Sequence, residues 1–353
     1  MFGTVKRKAQ IWSVIISSTL ALFSCTSQME STTEAKYIRG ETQGTTYEII
    51  IADAEVNVTK AEIDSLLAMF DASLSTYITT SKISSLNAAP EVIQVVDSSG
   101  FLKSCYLQSE KVFLATNGAF DPSVFPLVKG WGFMDKVETP LSQSEVNELL
   151  KDVGFNEHHT INFKGDTILL SKTNPSFKLD FNAIAQGYSV DVLADFLTAR
   201  GHKNFYVEIG GELVLRGRNI EGENWRIGID VPTENSKTHE IENIVQFTDQ
   251  AIATSGNYRK FYEKNGKKYA HFLNPKTGFP VQHSLLSVSV IAPNCATADA
   301  YATAFMVMGA KETLEFVEKH SELKLEVYLL ESNGKSGFKR SMSKGFQSYL
   351  KKS

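Results

Sequence analysis

The sequence predicts an α+β fold in which helices and strands form separate layers. Three observations carry this. The hydrophobic period is helical in the first half and shifts toward alternation from about residue 160. Helices and strands do not follow a regular βαβα order, which argues against a doubly wound parallel sheet. The 353 residues are 42% hydrophobic and 22% charged, an ordinary globular composition that excludes disorder, collagen and coiled coil. No short-period repeat is present, so solenoids and propellers are excluded as well.

Each element has its own justification. Residues 45–52 are β-branched and aromatic, as a strand requires, and Thr59 opens a helix with Ile63, Leu66, Leu67 and Phe70 at helical spacing. A second helix is predicted over 98–115, buried along Phe101, Leu102, Cys105, Tyr106, Val112 and Phe113. Gly and Pro punctuate residues 118–140. A helix over 142–151 follows, with Ser142 and Glu145 forming a capping box. Short strands are expected over 161–163, 167–170 and 177–179. A helix over 182–200 then carries Ile184, Tyr188, Val192 and Phe196 in one stripe beside Leu193 and Leu197. Strands over 205–209, 212–217, 225–229, 244–247, 251–254 and 285–291, helices over 297–308 and 311–320, and terminal strands after them complete the pattern.

Charge and cysteine content narrow the function. Lys+Arg 36 against Asp+Glu 40 gives a net charge of -4, so no positive field exists to hold a nucleic-acid backbone, and no nucleic-acid partner is expected. Cys25, Cys105 and Cys295 match no metal-ligand spacing and cannot build a disulfide framework. Lys6, Arg7 and Lys8 precede an apolar run over 11–23 that suits a signal peptide and is too short for a membrane span. The run ends Leu22-Phe23-Ser24-Cys25, which resembles a bacterial lipobox with Cys25 as the lipidated residue. The expected organisation is a signal peptide over 1–24, a polar tether over 25–36 and one folded domain over 37–353, membrane-anchored and facing the periplasm.

Several polar and Gly-rich segments interrupt hydrophobic elements: Thr42-Gln43-Gly44-Thr45, Gly118-Ala119-Phe120-Asp121-Pro122, Asp180 through Tyr188, Gly210-Gly211-Glu212, Ala253-Thr254-Ser255-Gly256-Asn257-Tyr258, His271-Phe272-Leu273-Asn274-Pro275, and Ala298-Asp299-Ala300-Tyr301-Ala302-Thr303. Asp299 reads as a first-turn acid that the helix dipole stabilises without further function. With Thr303 one turn on, it also reads as a pair of oxygen donors suited to a hard cation. Asp180 reads as a helix cap or turn residue, Gly210-Gly211 as a turn, and His271 as a histidine beside a turn. No G-x-S-x-G elbow, P-loop, H-E-x-x-H or full Rossmann fingerprint occurs.

Taken in order, these segments resemble the ApbE family of periplasmic FAD:protein FMN transferases over about residues 37–309. The pieces are Gln43-Gly44-Thr45 with Tyr47, Leu74-Ser75-Thr76-Tyr77, Gly118 to Asp121 with Gly130-Trp131-Gly132-Phe133, Asp180 to Tyr188, Gly210-Gly211, Ala253 to Gly256, His271 to Pro275 with Thr277-Gly278, and Ala298-Asp299-Ala300. The resemblance implies a domain of two T-fold-like halves. It also implies an enzyme that cleaves the FAD pyrophosphate, releases AMP and passes FMN to a Thr or Ser hydroxyl of an acceptor protein.

By the same resemblance, Mg²⁺ is held by the Asp299 carboxylate, the Thr303 hydroxyl and the Ala183 carbonyl. FAD contacts carry over to Gln43, Tyr77, Ala119, Phe120, Asp121, Asp180, Gln186 and Phe272, with His271 as the hypothesised general base. Two positions depart from the family pattern: Gln43 stands where many members have Met, and Gln186 where many have Lys, so a cationic phosphate contact is missing. The acceptor implied is a protein with an S-G-A-[ST]-like motif, such as a subunit of an ion-pumping quinone reductase or a related electron-transfer complex. A Mg²⁺-dependent FAD pyrophosphatase uses the same groups with water as acceptor, and a flavin-binding lipoprotein without chemistry is the third reading.

Overall fold

Tight turns and alternating apolar residues build one large sheet. β1 (Lys36–Thr42) and β2 (Thr45–Ile51) form a hairpin. Both turn residues, Gln43 at φ 52° and Gly44 at φ 75°, are left-handed, the geometry that matches the twist of the flanking strands. The chain then leaves the sheet for α1 (Lys60–Leu74), α2 (Lys82–Ala88), β3 (Val92–Val96), α3 (Phe101–Ala115), α4 (Phe125–Gly130), α5 (Gln143–Leu150), β4 (His159–Lys164) and β5 (Thr167–Lys172). It returns through α6 (Ala185–Ala199), β6 (Phe205–Ile209) and β7 (Glu212–Arg216). The β8 (Trp225–Asp230) and β9 (Ile241–Phe247) hairpin follows. The second part of the sheet is β10 (Ala251–Gly256), a small hairpin β11 (Phe261–Lys264) and β12 (Lys267–Ala270), β13 (Leu285–Ala292), α7 (Cys295–Met308), α8 (Ala310–Lys319), β14 (Glu326–Ser332) and β15 (Phe338–Met342). This computed structural model describes residues 34–134, 140–232, 240–257, 261–264, 267–334 and 337–351. The expected signal peptide, Cys25 and most of the 25–36 tether lie outside them.

The eight main strands lie in chain order, β1-β2-β6-β7-β10-β13-β14-β15, and every neighbouring pair is antiparallel. Each half of the sheet repeats one plan: two strands, helix, two strands. In the first half the helix is α6; in the second it is α7 followed by α8. This is the α+β class expected from the element order, in the two related halves that the family resemblance implies.

The two faces of the sheet are covered differently. Ile49, Ile51, Val207, Ile209 and Val214 pack under Val190, Leu193 and Leu197 of α6 and Ile63 and Leu67 of α1. Val288, Val290, Val327 and Leu329 pack with Ala298, Ala302, Phe305 and Met306 of α7. Leu213, Leu215, Ile252, Ile291 and Leu330 face the other way, against Trp225, Val245 and Phe247 of the β8–β9 hairpin. Leu193 and Leu197 are fully buried, each contributing about 2 kcal/mol of burial that anchors α6 on the sheet.

Three differences from the sequence reading have local causes. Residues 177–179 form no strand: the Asn87 side chain accepts the Leu179 N–H at 2.7 Å and donates to the Leu179 carbonyl at 2.8 Å, replacing a ladder partner. The helix predicted from 182 starts at Ala185, because the Asp180 carboxylate accepts the Asn182 N–H at 2.8 Å and holds a turn ahead of it. The helix predicted from 98 starts at Phe101, after Gly100 at φ 70°. Strands β1, β3, β11 and β12 go beyond the sequence reading, and β1 takes Lys36 from the tether.

Candidate active site

The N-terminal halves of α6 and α7 meet on one face of the sheet. Gly187 makes this possible: a Cβ there would lie 2.4 Å from the Cys295 carbonyl oxygen and 2.7 Å from Asp299 Cβ. Its N–H, one of the amides that the first turn of a helix leaves unpaired, donates to Asp299 Oδ2 at 3.0 Å. Asp299 Oδ1 and the Ala183 carbonyl receive no hydrogen bond among the described residues. Thr303 follows Asp299 by one turn on the same face of α7 and is half-buried.

Asp299 is not in the first turn of its helix. α7 begins at Cys295, capped by the Asn294 side chain, which accepts the Thr297 N–H at 2.9 Å. Asp191 of α6 accepts the Cys295 and Ala296 N–H groups, each at 2.8 Å. The helix dipole is therefore met by Asn294 and Asp191, and Asp299 sits deeper in the helix with its carboxylate buried. The first-turn dipole reading of Asp299 is thereby corrected. Burial pushes the Asp299 carboxyl up, and it pushes Glu212 of β7 up as well, where the Asp299 charge adds to the effect.

Several of the segments singled out in the sequence are tied to α6 or to the Asp180 segment before it. Gly210 and Gly211 form the two-residue β6–β7 turn, at φ 60° and 108°, as the sequence suggested. Gln186 reaches that turn: its Nε2 donates to the Ile209 carbonyl at 3.0 Å and to the Glu212 carboxylate. Ser189 Oγ donates to Gln43 Oε1 at 3.3 Å, tying the β1–β2 turn to α6.

The Asp180 N–H donates to the Pro122 carbonyl at 2.7 Å, joining the Ala119–Phe120–Asp121 segment to the Asp180 segment. Asp121 Oδ1 accepts both the N–H and the hydroxyl of Ser123. Burial raises the Asp180 carboxyl to about 6 and raises Asp121 too. Asn182 donates to the Thr76 hydroxyl at 3.3 Å, which brings exposed Tyr77 beside Asp180.

His271 follows β12, and its ring packs on buried Phe272 with centroids 4.0 Å apart. The next residues close a turn, with Asn274 Oδ1 accepting the Lys276 N–H at 2.9 Å and the Thr277 N–H at 3.2 Å. Trp131 Nε1 donates to the Gly278 carbonyl at 2.8 Å, joining two motifs that are far apart in sequence. Asn117 to Ala119, Asn274 and Lys276 share a cavity of about 450 Å³ with α8. Glu212, Gly187 and Asp191 were not assigned roles from sequence. The Gly-Gly-Glu run was the visible signal for Glu212, whereas nothing local marks Asp191.

The fold is that of the flavin transferases. The chain belongs to the ApbE family, whose model matches residues 43–329. An FAD:protein FMN transferase of Haemophilus influenzae is 34% identical over 90% of this chain and 91% of its own length. The flavin transferase ApbE of Vibrio cholerae is 34% identical with a TM-score of 0.77, covering 90% of this chain and 99% of that one. The apo flavinyl transferase ApbE of Pseudomonas stutzeri is 29% identical with a TM-score of 0.79, covering 91% and 98%.

Proposed function

We propose that this protein is a Mg²⁺-dependent FAD:protein FMN transferase that joins FMN through a phosphoester to a Thr or Ser hydroxyl of an acceptor protein. The observation that carries the metal requirement is the oxygen set where α6 meets α7. Asp299 has one carboxylate oxygen held by Gly187 and one without a hydrogen bond among the described residues, where the Ala183 carbonyl is likewise unbonded, and Thr303 adds a hydroxyl. These are all hard oxygen donors with a single carboxylate, which suits Mg²⁺ completed by phosphate oxygens and water. Bound there, Mg²⁺ would stabilise the charge that develops as the phosphoanhydride breaks.

The chain's own residues do the rest. Gln43, Tyr77, Ala119, Phe120, Asp121, Asp180 and Phe272 orient FAD. His271 takes the proton of the acceptor hydroxyl as its oxygen bonds the FMN phosphorus and the bond to AMP breaks, so FMN passes to the acceptor and AMP leaves. Cys25 carries the lipid that holds the domain at the periplasmic face of the membrane, where the acceptor is a subunit of an electron-transfer complex with an S-G-A-[ST]-like motif.

The test is to incubate residues 26–353 with FAD, Mg²⁺ and such an acceptor domain and to measure the acceptor's mass. A covalent FMN adduct supports the transferase. Free FMN without adduct makes the protein an FAD pyrophosphatase, and neither product makes it a flavin carrier. Membrane fractionation of a Cys25→Ser variant tests the anchor: retention in the membrane pellet overturns it.

A further inference from the structure

We infer that Glu212 is a positioning residue which, acting through Gln186, fixes the first turn of α6 so that the Gly187 N–H stays on Asp299. The inference rests on the proposed cation site and extends it to a residue outside the donor set. α6 lacks the usual device for fixing its start, since its N-cap Ile184 offers no side-chain acceptor. The stripe of Leu193 and Leu197 anchors the helix on the sheet but sits two turns further on. The first turn is held instead by Gln186, whose Nε2 donates to the Ile209 carbonyl at 3.0 Å and to the Glu212 carboxylate.

A carbonyl and a carboxylate are both acceptors, so the amide has only one sensible orientation, and both of its N–H groups are used. No donor of Gln186 is left for a phosphate. Gln186 is here a strut between helix and sheet.

The seat for that strut is specific. A Cβ on Gly210 would lie 2.5 Å from Gln186 Nε2 and 2.8 Å from Thr45 Cγ2, so the turn must carry glycine there for Gln186 to reach across it. Ser189 adds a second tie, its one hydroxyl proton shared between the Gln186 carbonyl at 2.7 Å and Gln43 Oε1 at 3.3 Å. Gly187 follows Gln186 directly, and its amide is the only described hydrogen-bond donor to Asp299. Truncating Glu212 leaves one Gln186 N–H unpaired and lets the turn rotate, which frees the Asp299 carboxylate from its anchor. Loss of such outer support weakens metal binding about tenfold to a hundredfold in comparable sites.

The experiment combines hydrogen exchange with cation titration on the soluble chain, using Glu212→Ala, Gln186→Ala, the double variant and Glu212→Gln, which keeps an acceptor oxygen. Faster deuterium uptake over residues 184–190 is expected in both Ala variants. The Mg²⁺ concentration for half-maximal FAD cleavage should rise about tenfold, with the double variant no worse than either single one. Glu212→Gln should recover most of the loss.

Faster uptake with an unchanged Mg²⁺ requirement, additive effects, or no recovery in Glu212→Gln each overturns the positioning role. Asp299→Ala separates the two ideas. If cleavage by that variant responds to Mg²⁺ as the unaltered chain does, the cation site itself is wrong. If it loses the response while Glu212→Ala keeps it, only the strut is wrong.

Discussion

The Gly187 N–H donates to Asp299 Oδ2 at 3.0 Å, across the closest approach of α6 and α7. One hydrogen bond thus pairs a helix-start amide with a buried carboxylate, and the missing side chain on Gly187 is what brings them within reach. Gly187→Ala should push the helices apart, because the added carbon meets backbone and cannot be accommodated by a rotamer change. Overpacking of this kind costs about 1–3 kcal/mol. We expect a lower midpoint in thermal unfolding together with loss of FAD cleavage. A variant with full activity would show that the close approach is dispensable.

Asp299→Ala removes the one carboxylate of the proposed cation site. Several kcal/mol of charge stabilisation corresponds to about a hundredfold or more in rate. Thr303→Val keeps shape and loses the hydroxyl, and should raise the Mg²⁺ requirement with a smaller effect on the maximal rate. Steady-state rates across a Mg²⁺ series check both, and an undiminished Asp299→Ala rate at saturating Mg²⁺ refutes the assignment.

His271→Ala should suppress FMN transfer about a hundredfold or more while FAD still binds, since general base catalysis carries a factor of that order. Equilibrium binding followed by flavin fluorescence, alongside adduct formation measured by mass, separates the two. Transfer at the original rate would assign the proton to another group.

Lys172 offers a pH test remote from the chemistry. Its buried ammonium donates to the Ala89 carbonyl at 2.8 Å and the Asn87 carbonyl at 3.2 Å. Burial and the nearby Lys178 lower it from 10.5 to about 8. Between those values the unfolded chain holds the proton more firmly than the folded one, so this residue's contribution to stability grows with rising pH. Denaturant titrations at pH 7 and pH 10 should show the unaltered chain gaining on Lys172→Met. An equal difference at both pH values would mean that the amine is not depressed.

What the sequence displayed was local. The Ser142–Glu145 capping box forms as its spacing demands, with the Ser142 N–H donating to Glu145 at 2.7 Å. The stripe of α6 and the Gly210–Gly211 turn are equally plain, since a hydrophobic period and a two-residue glycine turn need no distant partner. What it hid was every role set by a contact across the fold. Asp299 looked like a first-turn acid because the caps that begin α7 two residues earlier include Asp191, which is 104 residues from Cys295. Residues 177–179 looked like a strand because their pairing partner is the side chain of Asn87 on another helix. The sequence likewise does not display the two acceptors beside the β6–β7 turn to which the Gln186 amide donates.

The repeated plan of the sheet divides the proposed chemistry between two near-equivalent parts of the molecule. Ala183 and the Gly187 anchor come from the first half, while Asp299 and Thr303 come from the second. Neither half holds a complete oxygen set, so catalytic competence would arise only when both are folded and in register. The β8–β9 hairpin, which bridges them in sequence and packs on the far face, can then drift through mutation without touching the reacting groups. Any slip between the halves would be read out at once as a loss of cation binding.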